Sequence, residues 1–164
     1  MAKIVGVCVS DRKGVPKKNI GAALLETGSG LKGDAHAGPW HRQVSLLAKE
    51  SLDKFQIRHP SASLGTGPKS LDFTRDKSEI GLGSFAENLT TEGLDLKNLP
   101  VGTELAVGKS VRLRITQIGK ECHTKCAIGR KVGKCIMPVE GVFAEVISGG
   151  PVKVGDPIEI VAVN

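Results

Sequence analysis

Residues 120–126, with the sequence KECHTKC, place two cysteines and a histidine in the most basic part of the chain. Eight lysine and arginine residues lie between residues 109 and 134, against a single carboxylate, that of Glu121. Nearby cations lower the pKa of a thiol because they stabilise its anion, and the thiolate is the form that acts as a nucleophile. We therefore predict that Cys122 is a reactive thiolate.

Three roles are open to Cys122. As a sulfur carrier, its thiolate accepts the outer sulfur of a donor persulfide and passes it to an acceptor. As a metal ligand, it belongs to a Cys3His zinc site, whose candidate members are Cys122, Cys126, Cys135 and either His123 or His36. As a structural residue, it is a buried and inert thiol, since free cysteine is common in protein cores.

A histidine is the natural general base for such a thiol. His123 is adjacent in sequence, but sequence neighbours often point apart. His36 and His41 are therefore equally good candidates if the fold brings them close. Cys8 lies in an apolar run, and we expect it in the core.

A second group of polar residues belongs to a glycine-rich stretch, residues 28–38, and to the residues just after it. The glycines predict an irregular, shaped loop. The candidate ligand-binding residues are Gly33, Asp34, His36, Gly38, His41 and Arg42. Arg42 suits a phosphate, because the planar guanidinium binds two oxygens at once. The alternative is that the glycines form turns while Asp34 accepts hydrogen bonds from loop amides.

Residues 85–93 supply a third group, in which Glu87, Asn88 and Thr90 are expected where a strand meets a loop. The amide of Asn88 both donates and accepts, and the hydroxyl of Thr90 can orient a phosphate. The alternative is again local, since Asn and Thr often bond to their own backbone in turns.

The elements that must position these residues are mostly strands. Short β-branched runs predict strands over residues 4–9, 43–47, 104–107, 111–118, 142–147 and 158–163. Ala48, Leu52 and Phe55 form one apolar stripe, which predicts a helix of about three turns that ends at Pro60. Residues 59–84 predict a long surface loop. A loss of alternation at residues 117–118 predicts a β-bulge just before Gly119.

Composition restricts the function classes. The 164 residues suit one domain, and the sequence pI is about 9.3. Aromatic residues make up 3% and tyrosine is absent, so the stacking surfaces of nucleic-acid binders are not expected and the partner is expected to be a small anionic ligand. No apolar run is long enough to cross a membrane. We expect a cytoplasmic protein with reduced cysteines.

Taken in series, residues 33–47, residues 85–93 and the Cys122 segment resemble the MOSC domain family, named for the C-terminal domain of molybdenum cofactor sulfurase. The resemblance implies a single domain over residues 1–164, mainly β, with a closed or partly closed β-barrel and a few peripheral helices. Residues 135–143 are similar to a short, stand-alone bacterial subgroup. Many members have a proline before the family cysteine, where this chain has Glu121.

The resemblance also implies a role in carrying sulfur or handling the molybdenum cofactor, molybdopterin, through one cysteine that maps onto Cys122. It implies binding of a molybdenum ion and of pyridoxal phosphate, and a cysteine desulfurase or a molybdoenzyme as partner. If the chain is catalytic, the reaction is sulfur transfer.

We therefore expect a phosphorylated, pterin-type ligand in a basic pocket, where Arg42, Lys120 and Lys125 hold the anion and Cys122 carries sulfur or contacts the cofactor's metal. Two alternatives stay open at this point. One is a non-catalytic module that delivers the cofactor or docks with an acidic partner, and the other is a structural zinc-binding domain.

Overall fold

The computed structural model describes residues 2–12, 15–58, 82–119 and 136–163. The strands are β1 (Lys3–Val9), β2 (Lys18–Asn19), β3 (Ala22–Glu26), β4 (Gly30–Leu31), β5 (Val44–Ala48), β6 (Leu89–Glu92), β7 (Glu104–Val107), β8 (Val111–Ile118), β9 (Val142–Ser148), β10 (Gly150–Lys153) and β11 (Ile158–Ala162). The helices are α1 (Lys49–Arg58) and α2 (Met137–Glu140), with a 3-10 helix at Leu96–Asn98. The six predicted strands and the predicted helix are confirmed within one or two residues at the ends that the structure describes.

Eight strands form the main sheet, in the order β11-β7-β8-β9-β5-β6-β1-β2. The first part of β1 also meets the chain at the start of β11. The amide of Ile4 donates to the Asp156 carbonyl, and the amide of Gly155 donates to the Ile4 carbonyl, each at 2.8 Å. The amide of Ile158 donates to the Ala2 carbonyl at 3.1 Å. These bonds join the two sides of the sheet, so the predicted closed or partly closed β-barrel is confirmed.

A smaller sheet, in the order β10-β3-β4, lies against the barrel. Its Leu25, Leu31 and Val152 are buried and belong to the same apolar cluster as the barrel core. A second cluster packs the two helices on the outside of the barrel; its buried members are Leu47, Leu52, Phe55, Phe85, Ile136, Met137 and Phe143. Leu52 and Phe55 of the predicted apolar stripe therefore pack α1 on the barrel, whereas Ala48, its third member, is the last residue of β5.

The pairing of β5 with β6 is parallel, whereas the other pairings between described strands are antiparallel. Parallel neighbours require a crossover connection, which here contains α1. Residues 33–43 lead into β5 and residues 85–88 lead into β6. Because parallel strands start at the same edge of a sheet, this pairing brings the first two predicted polar groups to one edge of the barrel.

Two predictions about local structure need correction. The glycine-rich stretch is not wholly irregular, because β4 (Gly30–Leu31) pairs with β3 in a tight hairpin. Gly30 is required there, since a Cβ atom would lie 2.6 Å from the Gln43 carbonyl oxygen. The pairing of β8 with β9 has two irregularities, one between Arg112 and Leu113 and one between Ile115 and Gln117, and the second lies slightly earlier than the predicted bulge. Of the predicted loop over residues 59–84, residues 59–81 lie outside the described part.

The described helices are too short to cross a lipid bilayer.

Candidate functional site

Asp34 organises the loop that leads into β5. Its side chain is fully buried, and its carboxylate accepts hydrogen bonds from the backbone amides of Ser10 and His36, each at 3.1 Å. The loop therefore uses Asp34 in the local way that was one of the two predicted alternatives. A direct contact between Asp34 and a ligand stays a prediction.

Lys17 is the counter-ion of this carboxylate. Its ammonium donates to Asp34 Oδ1 at 2.7 Å, and both side chains are 0% exposed. The same Lys17 Nζ lies 3.0 Å from His36 Nδ1. Burial by itself raises the pKa of Asp34, but the hydrogen bond and charge of Lys17, together with the two amides, hold it below its ordinary value. Asp34 is therefore a carboxylate in the folded protein.

Trp40 stands at the centre of the exposed side of this loop. The Arg42 guanidinium carbon lies 4.6 Å from the centroid of the Trp40 ring, and the His36 ring is parallel to it at 6.5 Å. The His41 ring meets Trp40 edge-on at 5.9 Å. The indole nitrogen donates to the His36 carbonyl at 2.7 Å, which fixes the ring. One indole thus gathers three of the predicted ligand-binding side chains.

Arg42 is held by aromatic rings. Besides Trp40, the Phe143 ring lies 5.7 Å from its guanidinium carbon. Among the described residues no carboxylate forms an ion pair with Arg42, and its buried Nε has no hydrogen-bond partner there. Stacking on rings leaves the charge of a guanidinium uncompensated. Arg42 is therefore suited to bind an anion.

A chain of hydrogen bonds connects His41 with the residue that precedes the cysteine segment. His41 Nε2 donates to Gln117 Oε1 at 2.8 Å, and Gln117 Nε2 donates to the Gly119 carbonyl, also at 2.8 Å. The Thr116 hydroxyl donates to the His41 carbonyl. Residue 120 follows directly in the sequence. The fold therefore ties Gly119, the last described residue before the cysteine segment, to His41 through Gln117.

Asn88 ties three strands together. Its side-chain oxygen accepts from the Ser45 amide at 3.0 Å and from the Ser45 hydroxyl at 3.1 Å, and its side-chain nitrogen donates to the Cys8 carbonyl at 3.1 Å. Asn88 is fully buried. These bonds run from the residue just before β6 to β1 and β5, so they are not the bonds within a turn that were the predicted alternative.

Glu87 and Thr90 are also fully buried. The Glu87 carboxylate accepts from the amides of Gly83 and Phe85 at 2.9 and 3.1 Å and from the Thr90 hydroxyl at 3.2 Å. Burial raises the pKa of Glu87, while these hydrogen bonds act in the opposite direction. The contacts of Glu87, Asn88 and Thr90 thus hold the scaffold beneath the loop, and their contact with a ligand stays a prediction.

A groove of about 460 Å³ lies elsewhere, between α1 and the 3-10 helix. Lys97 and Glu140 form an ion pair there at 2.8 Å, and the Glu50 carboxylate accepts from the Gly93 amide at 3.2 Å. Its charged lining residues are three acidic ones and two basic ones, so the groove suits an anion less well than the surroundings of Arg42; they are Glu50, Asp95, Glu140, Lys54 and Lys97.

A family model for the MOSC domain matches residues 33–159. The chain belongs to the MOSC domain family. This family is associated with molybdenum cofactor sulfurase-like function. The match begins at the glycine before Asp34 and includes Trp40, Arg42 and the whole cysteine segment. No curated protein matches the chain.

Solved structures show the same fold. The YuaD protein from Bacillus subtilis has a TM-score of 0.71 and 17% identity, over 100% of this chain and 98% of that one. YiiM from Geobacillus stearothermophilus has a TM-score of 0.69 and 16% identity, over 99% and 76%. YiiM from Escherichia coli has a TM-score of 0.67 and 19% identity, over 100% and 71%. At these identities the similarity concerns the fold alone.

Cys8 of this MOSC domain is a core residue, as predicted, with 0% exposure. Burial raises the pKa of its thiol to about 12; the carboxylate of Glu87 adds to this effect and the ammonium of Lys17 opposes it. Cys8 is therefore protonated at neutral pH and unreactive.

The other predicted cysteines and their neighbours lie outside the described residues; they are Lys120, Cys122, His123, Lys125, Cys126 and Cys135. Gly33 and Gly38 lie in the described loop and take positive φ angles, of 86° and 154°. Among the residues that the structure describes, no three His, Cys, Asp or Glu side chains are grouped so that they could hold a metal ion. Since most of the proposed zinc ligands lie outside that part, the zinc site stays a prediction.

Sequence reasoning overlooked three residues of the candidate site: Lys17, Trp40 and Gln117. Lys17 stands beside Lys18 in a turn-rich stretch, where a lysine is normally exposed. Trp40 carried a signal, because a lone tryptophan between a proline and a histidine in a polar loop seldom serves the core. Gln117 had no signal in the sequence, because its partners at positions 41 and 119 meet only in the folded barrel.

Proposed function

We propose that this MOSC domain is a sulfur-carrier or cofactor-handling protein of molybdenum cofactor metabolism. It binds a phosphorylated, pterin-type ligand beside Arg42 and carries sulfur on the Cys122 thiolate. The observation that supports ligand binding is Arg42 itself, a cation held against Trp40 with a buried Nε and no described carboxylate partner.

The side chains present fit such a ligand. Arg42 can give a phosphate two parallel hydrogen bonds, and the Trp40 ring offers a flat apolar surface beside it. Lys120 and Lys125 add positive charge from the cysteine segment, which begins in the sequence just after the anchored Gly119. A bound molybdenum cofactor supplies a metal centre that can accept sulfur. The residues that hold it are Arg42, Lys120 and Lys125.

In the carrier role, the Cys122 thiolate attacks the outer sulfur of a donor persulfide, such as that of a cysteine desulfurase. A new bond forms between Cys122 Sγ and that sulfur, the donor's sulfur–sulfur bond breaks, and the donor departs as a thiolate. Cys122 is then a persulfide that can pass its outer sulfur to an acceptor. The basic residues around position 122 favour this chemistry because they stabilise the attacking anion.

The ligand-binding part of the proposal is tested with the fluorescence of Trp40, the only tryptophan in the chain. Inorganic phosphate should give a saturable change, and Arg42→Gln should weaken binding at least about tenfold, because a charged hydrogen bond is lost. Arg112→Gln, at an exposed position of β8, is the matched control and should leave the affinity unchanged. Equal affinities in all three proteins would refute the proposal.

Calorimetric titrations with a phosphorylated pterin and with pyridoxal phosphate then show which aromatic ring the ligand carries. Both ligands combine a phosphate with an aromatic ring, so both should need Arg42. We expect the pterin to bind more tightly than inorganic phosphate. A preference for pyridoxal phosphate would support the anion site but reject the pterin.

The sulfur half is tested by mass spectrometry after incubation with a cysteine desulfurase and its substrate. The peptide that holds Cys122 should gain one sulfur atom, Cys122→Ser should lose that gain, and Cys8→Ser should keep it. Iodoacetamide should likewise label Cys122 long before Cys8, whose thiol has a pKa of about 12. Intact ligand binding without any sulfur gain would favour the non-catalytic delivery module.

A further inference from the structure

A β-bulge in β8 turns two neighbouring side chains toward His41. Ile115 and Gln117 face consecutive residues of β9, which leaves Thr116 as the extra residue. Without the bulge, Gln117 would continue the inward-facing series that ends at Ile115. Instead Ile118 packs on the barrel core, and both Thr116 and Gln117 hydrogen-bond to His41. The bulge therefore places two polar side chains where they hold His41.

The amide of Gln117 fixes which nitrogen of the His41 ring carries a proton. Gln117 Nε2 donates to the Gly119 carbonyl at 2.8 Å, and a carbonyl can only accept. The backbone amide of Gly119 in turn donates to the Gly141 carbonyl at 2.7 Å, which holds Gly119 in place. Gln117 Oε1 is therefore the atom that faces His41 Nε2, at 2.8 Å, so Nε2 must be the donor.

The other ring nitrogen, His41 Nδ1, is then the one that gains or loses a proton. Gln117 Oε1 can accept from Nε2–H in both charge states of the ring, so Nε2 stays protonated. His41 is exposed, and its Nδ1 forms no hydrogen bond with another residue of the described part of the chain. The neutral ring therefore keeps an unused lone pair on Nδ1.

His41 and Arg42 lie on the same face of the main sheet. Gln117 of β8 and Phe143 of β9 are directly opposite each other, so their side chains project to one face, with Cβ atoms about 5 Å apart. His41 bonds to Gln117, and the Arg42 guanidinium carbon lies 5.7 Å from the centroid of the Phe143 ring. An anion bound by Arg42 is therefore next to the His41 ring.

We propose that Gln117 is a positioning residue that keeps the Nδ1 lone pair of His41 as a hydrogen-bond acceptor for the ligand of Arg42. Such an acceptor favours an oxyanion that carries a proton, because this proton then lies between Nδ1 and a ligand oxygen. An oxyanion without a proton meets the lone pair of the neutral ring and is repelled. The ligand class is therefore a hydrogenphosphate or a phosphate monoester that carries a proton. This selection rests on the proposed anion site.

The position of the ring proton is measured by long-range ¹H–¹⁵N NMR of the unliganded protein, at a pH high enough that the ring signals no longer move. His41→Phe identifies the signal among the four histidines. The wild-type protein should show a pyrrole-like Nε2 and a pyridine-like Nδ1, and Gln117→Leu should gain a measurable Nδ1–H population. Arg112→Leu, at an exposed position of the same strand, should keep the wild-type pattern.

A protonated Nδ1 in the neutral ring of the wild-type protein would overturn the role of Gln117, and so would a pattern that Gln117→Leu leaves unchanged. The wild-type spectrum and the His41→Phe variant keep the inference testable even if Gln117→Leu does not fold.

The selection is tested with phosphate and sulfate, in an alkaline buffer in which both are dianions. The two ions share their tetrahedral shape and their charge, but hydrogenphosphate carries a proton and sulfate does not. By Trp40 fluorescence, the wild-type protein should bind phosphate at least about tenfold more tightly than sulfate, because only phosphate can donate to Nδ1. His41→Phe and Gln117→Leu should bind the two ions within about threefold of each other. An equal preference in the wild-type protein and in His41→Phe would refute the role of His41.

This inference and the proposed anion site fail in different ways. If the wild-type protein binds neither ion, the anion site falls and the selection falls with it. If it binds both ions equally and Arg42→Gln weakens both, the anion site stands and only the role of His41 is rejected. The ring spectrum needs no ligand, so it tests the action of Gln117 on His41 in either case.

Discussion

At the scale of single residues, the most consequential contact is the buried ion pair of Lys17 and Asp34. Removing one member of such a pair leaves an uncompensated charge in the interior, which costs far more than the pair contributes as a whole. Replacing either residue alone should therefore be costly, and the loop that carries His36, Trp40 and Arg42 depends on both.

We expect Asp34→Ala to lower the free energy of unfolding by about 3–5 kcal/mol, because it leaves the buried Lys17 ammonium without a counter-ion. Asp53→Ala is the matched control. It breaks the ion pair of Lys49 and Asp53 on α1, whose side chains are 40% and 47% exposed, and should cost less than about 1 kcal/mol. Urea unfolding measures both, and similar losses would contradict the burial of the Lys17 pair.

The same pair predicts an acid dependence of stability. The pKa of Asp34 in the folded protein lies below its ordinary value of 3.8, so the carboxylate stabilises the fold fully above about pH 4. This contribution is lost as the pH falls through the folded pKa. The urea midpoints of wild-type protein and Asp34→Asn should therefore converge in acid, and a gap that stays constant from pH 7 to pH 3 would exclude this linkage.

At the scale of elements, the turn at residues 82–85 connects Lys17 of the candidate site with Glu87. The Lys17 amide donates to the Gly83 carbonyl at 2.7 Å, and the Gly83 amide donates to Glu87. Gly83 has a φ of +87°, and a Cβ atom there would collide with the Lys17 carbonyl oxygen. The turn and the buried lysine are therefore packed without room for a side chain.

Gly83→Ala should destabilise the protein by at least about 2 kcal/mol more than Gly21→Ala. Gly21 is a close control because its φ is +80° and a Cβ atom there meets nothing within 4 Å. Both variants carry the strain of a left-handed alanine, so the difference isolates the collision. Equal unfolding midpoints would show that the turn can move away from Lys17.

The elements themselves were largely predictable from the sequence. Alternation over residues 111–116 and the stripe formed by Leu52 and Phe55 are local patterns, and each identified its strand or helix. The pairing of His41 with Gln117 and the burial of Lys17 were not predictable, because both depend on which strands become neighbours. Local sequence patterns predict the secondary structure of a segment but not which other segments it packs against.

At the scale of the whole molecule, the barrel depends on the seam between β1 and residues 155–158. The backbone bonds there involve Ala2, Ile4 and residues on either side of Pro157. Because both amides donate within the seam, those of Ile4 and Ile158 should exchange with deuterium about as slowly as the central amides of β8 and β9. Rapid exchange at both positions, with slow exchange in β8, would indicate an open sheet.

The seam also has a consequence for how the chain acquires its structure. β1 is made long before residues 155–158, which are one of its partners, so the barrel cannot close until those residues have emerged from the ribosome. Contacts so distant along the chain slow folding and leave strand edges exposed meanwhile. A nascent chain of this protein should therefore remain sensitive to proteases until residues 155–158 have emerged.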